Sequence, residues 1–136
     1  MSYWIIFFCL LSFACPKLTG NYECHRGYEI SKKWIQENDL GFEINEHGLT
    51  TQYFTDAKER SLADQESFKD AKVKSYCEKD QFIIEFKATI LYEGSPIAKQ
   101  VSKTIFERTE DDVKITKKTK MKGLPLPTIT EICYWE

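Results

Sequence analysis

The stretch Gln81–Arg108, QFIIEFKATILYEGSPIAKQVSKTIFER, constrains this chain more than any other. Phe82, Ile84, Phe86, Ala88, Ile90 and Tyr92 recur at every second position, the period that sends side chains to one face of a β-strand. The alternate set, Ile83, Glu85, Lys87, Thr89, Leu91 and Glu93, is mixed and able to face water. Gly94-Ser95-Pro96 breaks the run and Ile97–Phe106 resumes it. The segment therefore reads as a long antiparallel hairpin with one face in a core.

Shorter strands are predicted on both sides. Tyr28–Ile35 fits a strand with Tyr28, Ile30 and Trp34 on one face, and also one short helix capped by Ser31 that is too short to nucleate unaided, so strand is the expectation. Gly41–Asn45 and Leu49–Phe54 form a hairpin across Asn45-Glu46-His47-Gly48, with Gly48 free to take the positive φ of such turns. Val113–Met121 puts Val113, Ile115, Thr119 and Met121 on one face and Lys114, Lys118, Lys120 and Lys122 on the other. Ile129–Trp135 is a closing strand. Thr55–Lys72 differs: it is polar and charged, and Ser61-Leu62-Ala63-Asp64 approximates a capping box that predicts a short helix over Leu62–Phe68. Excursions of this length in a β-domain are usually functional loops, lids or disordered segments. The expected class is mainly β, a small antiparallel meander barrel of lipocalin-like size, with about seven or eight strands and room for one short helix.

The 136 residues suffice for one domain. Trp4–Ala14 is an uncharged apolar run of eleven residues. A membrane-spanning helix needs about 20, so the run fits the core of an export signal instead. Small residues at Ser12 and Ala14 mark a cut after Ala14, and a second follows Gly20, so residues 1–20 are expected to be a signal peptide and 21–136 a single β-domain. Leu11-Ser12-Phe13-Ala14-Cys15 also resembles a loose bacterial lipobox, with Ser12 where Leu is usual; an acylated Cys15 would tether the chain to a membrane.

Cys9 would leave with the signal, and Cys24, Cys77, Cys133 and a retained Cys15 allow three pairings. First and last strands adjoin in a closed antiparallel barrel, so Cys24–Cys133 is the expected bridge and Cys77–Cys133 its rival. No CxxC occurs, and the two histidines, His25 and His47, complete no metal or nucleophile pattern. The expectation is a chain that is not an enzyme and takes no cofactor or metal. A net charge of −2 gives no global field for nucleic acid.

Two constellations remain. Trp34, Phe42, Tyr53, Phe82, Phe86 and Tyr92 line either an apolar cavity or a solid core. Lys114, Lys118, Lys120 and Lys122, with Lys117 nearby, form either a face for an anionic partner or a solvated face on an edge strand guarded by lysine. In size, export signal and strand count the chain resembles lipocalin-type barrels, without the Gly-X-Trp start of that family. Tyr22-Glu23-Cys24 with a closing Cys133 is similar to small periplasmic lysozyme inhibitors. Neither resemblance assigns a binding residue. The expected function is that of a secreted or periplasmic barrel holding a small hydrophobic ligand, with segment 55–72 near its mouth. The alternatives are a protein-binding module or inhibitor of an extracellular or periplasmic enzyme, and an envelope-tethered structural protein. A membrane enters only through a lipidated Cys15, and the sequence carries no signal for an oligomeric state.

Overall fold

A computed structural model describes residues 15–136. The export-signal core Trp4–Ala14, with Cys9, lies outside the described residues.

The described chain is all β: β1 (Gly20–Arg26), β2 (Glu29–Glu37), β3 (Gly41–Glu46), β4 (Leu49–Phe54), β5 (Arg60–Ser61), β6 (Phe68–Glu78), β7 (Gln81–Tyr92), β8 (Ser95–Arg108), β9 (Asp112–Met121), β10 (Leu124–Pro125) and β11 (Ile129–Trp135). They form one antiparallel sheet in the order β4-β3-β2-β1-β11-β9-β8-β7-β6-β5, with β10 added to β9. Two meanders, β1–β4 and β5–β9, are thus stitched together by β11, the one long strand that leaves sequential order. The strand count exceeds the expected seven or eight partly because β5 and β10 are two-residue strands that no periodic pattern could announce.

The sheet is not closed, which corrects the expectation of a closed barrel. It curls until rings from distant strands meet: Phe42 on β3 lies 4.6 Å from Phe82 on β7, and Phe106 on β8 lies 5.5 Å from Phe82. At the seam between β4 and β6 only one bridge forms, Asp56 to Tyr76. The Ser75 hydroxyl donates to the Phe54 carbonyl and the Ala57 N–H donates to the Ser75 carbonyl at 3.0 Å. At Ala57, with φ 61°, the chain leaves the ladder, and it rejoins β6 only over Arg60–Ser61.

The predicted helix over Leu62–Phe68 is absent. The Leu62 N–H donates to the Ala71 carbonyl, the Gln65 N–H to the Phe68 carbonyl, and Asp64 accepts from the Asp70 N–H. The carboxylate proposed for the capping box thus serves a residue six positions downstream, across a loop that leads into β6.

β2 also departs from its expected phase. Lys33 and Ile35 point inward and are buried, whereas Tyr28 and Ile30 are exposed and Trp34 lies on the opposite face, half-buried. A one-residue change of phase exchanges every side chain between faces. An inward lysine concealed the true face from a reading based on apolar residues.

One end of the inner face is packed solid. Leu18, Tyr22, Phe42, Phe82 and Val113 are fully buried there, with the disulfides Cys24–Cys133 and Cys15–Cys77 beside them. Cys24–Cys133 is the expected bridge and sits in register across β1 and β11; the rival Cys77–Cys133 does not form. The lead-in before β1 is fastened as well: the Tyr22 hydroxyl donates to the Leu18 carbonyl at 2.6 Å, and Arg108 donates to the Lys17 carbonyl at 2.9 Å.

Candidate functional site: an amphipathic cavity in the curled sheet

Above the packed end, the inner face opens into a cavity of about 510 Å³. The alternation that began with Phe82 continues upward along β7 as Ile84 and Phe86, and both line this space. Register explains the neighbours. Ile84 pairs with Thr104, Phe86 with Ser102, and Phe106 with Ile115, so β8 contributes a polar stripe beside two apolar ones. Ile44 of β3, Tyr53 of β4, Val73 of β6, Leu62 and Ile129 add to the apolar lining.

The opposite wall is charged. Lys33 of β2, buried, donates to Glu131 Oε1 of β11 at 2.7 Å and has Glu46 Oε1 of β3 at 3.7 Å. Arg26 and Lys117 also line the cavity, so three cations face two carboxylates. Water exclusion makes such a pair sensitive to the loss of either member. Burial pushes the Tyr53 hydroxyl up from its ordinary pKa, with Glu46 reinforcing the shift.

Of the six aromatics predicted to line a cavity, Tyr53 and Phe86 do so. Phe42 and Phe82 belong to the solid core beneath. Trp34 lies on the other face of β2, against a separate depression bordered by Thr19, Asn21 and Glu43. Tyr92 is exposed at the tip of the β7–β8 hairpin. The polar lining, Arg26, Lys33, Glu46, Ser102, Thr104 and Glu131, was missed. Its one sequence signal was that Ser102 and Thr104 share the phase of Phe106.

Lys114, Lys118, Lys120 and Lys122 are exposed on the outer face, while Lys117 turns towards the cavity. β9 is flanked by β8 and β11, so these lysines do not guard a sheet edge.

Among the described residues, Cys24, Glu131 and Cys133 are close enough to suggest a metal site, but both sulfurs are joined in the disulfide and offer no thiolate. Cys15 Sγ is likewise bonded to Cys77, leaving no thiol for acylation in this structure. No family model, curated protein or solved structure matches this chain.

Proposed function

We propose that the curled sheet works as a barrel-like cup that holds a small hydrophobic ligand bearing a polar group, without catalysis, in an oxidising extracellular or periplasmic compartment. One observation carries this reading: a cavity within the size range of small-molecule sites, apolar on one wall and polar on the other. The ligand's apolar body would lie against Ile84, Phe86 and Ile115, and its polar group would meet Thr104, Lys117 and the Lys33–Glu131 pair. Leu62, carried by segment 55–72, borders the opening and would cover the bound body. Two disulfides agree with an oxidising compartment.

The test is titration with a fluorescent fatty-acid analogue, read by emission and by displacement. Saturable binding is expected, and Thr104→Trp, which pushes an indole into the cavity, should abolish it while the far-UV spectrum stays that of a sheet. Failure of the wild-type protein to enhance probe emission, with both disulfides intact, would rule the cup out as a binding site.

A further inference from the structure

The outer face of β6–β9 gathers far more cationic charge than the sequence of β9 alone implies. Lys118 stands directly opposite Lys103, and Lys120 and Lys122 continue the row beside Lys99, whose carbonyl accepts from the Lys122 N–H. Among the described residues none of these five has a carboxylate within ion-pair distance; Glu85 and Glu59, the acids nearby, are taken by Lys74, Lys72 and Lys87. Like charges directly opposed on a ladder are destabilising, and here they persist in a chain whose net charge is −2.

A second observation lies at the same end of the sheet. The β7–β8 hairpin exposes Tyr92 by 66% and Ile97 by 48%, and Leu124, paired to Met121 next to Lys122, is exposed by 68%. Apolar side chains at strand tips beside a field of lysines are what a peripheral membrane protein presents: cations for phosphate head groups, and apolar tips that enter the interface. A soluble polyanion would use the lysines and leave the tips in water. Lysine's single compact charge suits a fluid array of head groups better than the bidentate recognition that arginine supplies.

We infer that the β8–β9 outer face and the adjacent tips dock this protein on an anionic phospholipid bilayer. The inference does not rest on the cavity binding a ligand.

Co-sedimentation with phosphatidylcholine vesicles, with and without phosphatidylglycerol, tests it. Binding is expected only when phosphatidylglycerol is present, and to weaken as salt is raised. The combined variant Lys118→Glu/Lys120→Glu/Lys122→Glu should lower vesicle affinity roughly tenfold or more, since each cation near such a surface matters individually. Its thermal midpoint, measured alongside, reports folding. Tyr92→Ser/Leu124→Ser leaves the charge intact and should weaken binding most at high salt, where insertion rather than attraction holds the protein. Binding indifferent to phosphatidylglycerol, or unchanged in the lysine variant, overturns the proposal. So does tip-independent binding that dextran sulfate displaces completely, which would assign the face to a soluble polyanion.

Discussion

Lys33 shows how much one inward charge decides. It sits with Ile35 on the buried face of β2, and its ammonium is held by Glu131 and Glu46. Lys33→Met should destabilise the fold by about 3–5 kcal/mol, because Glu131 would lose the ammonium that meets its charge at 2.7 Å in a part-buried wall. Lys33→Met/Glu131→Leu should recover most of that loss; denaturant unfolding of both variants measures it, and an equally unstable double variant would mean the pair is not the cause. The same residue explains a failure of sequence reading: Tyr28, Ile30 and Trp34 outweigh Lys33 and Ile35 in any apolar count, yet the ion pair sets the phase. Gly41 makes a different demand at this scale. Its φ is 152°, and a Cβ there would overlap the Tyr53 carbonyl of the paired strand. Gly41→Ala should cost about 1–3 kcal/mol, seen as a lowered denaturation midpoint with the sheet spectrum retained.

Among the elements, the hairpin of β7 and β8 was legible because the inward set of β7 is almost wholly apolar, although β8 turns Ser102 and Thr104 inward and the register shifts between Ile90 and Leu91. Segment 55–67 was not, because it is held by individual side-chain and backbone contacts, some local and some distant such as Glu59–Lys87, that no periodic pattern announces. Asp56 accepts from both terminal nitrogens of Arg60 at 2.8 and 2.6 Å. That guanidinium, with the Lys58 N–H, holds the Asp56 carboxyl well below the usual carboxylate range. Glu59 is lowered chiefly by Lys87. Both folded-state values are depressed, so the stabilisation they give is present above the ordinary values of 3.8 and 4.5 and is lost as pH falls through the lower folded ones. The expected outcome is that the Ala57 and Leu62 amides, normalised for intrinsic exchange, lose hydrogen-exchange protection on acidification from pH 4.5, while the β7 amides stay protected. In Arg60→Gln the Ala57 and Leu62 amides should already be weakly protected near neutral pH. Because both carboxylates are exposed, the effect is local loosening of the seam, with the sheet intact.

Across the whole molecule, stability and cavity occupy opposite ends of one curled sheet. Cys24–Cys133 was foreseeable, since first and last strands adjoin even though the sheet stays open. Cys15–Cys77 was not, because Cys15 belongs to an irregular lead-in whose burial only the fold reveals. The bridges span 62 and 109 positions, and by loop-closure entropy they contribute on the order of 4 and 5 kcal/mol respectively. Cys15–Cys77 lies at the packed end with Leu18 and Tyr22, whereas the Cys24–Cys133 sulfurs lie within 4.8 Å of Glu131 in the cavity wall. Cys15→Ser/Cys77→Ser should therefore lower the thermal midpoint markedly and, below the new midpoint, leave affinity for the fluorescent fatty-acid analogue within about twofold, as expected for distant and independent sites. Thr104→Trp should do the reverse, abolishing probe binding with little change in midpoint. If opening the disulfide also abolished binding, the packed end would have to set the shape of the cavity directly, and the sheet would behave as one cooperative unit in place of a rigid base carrying an adaptable rim.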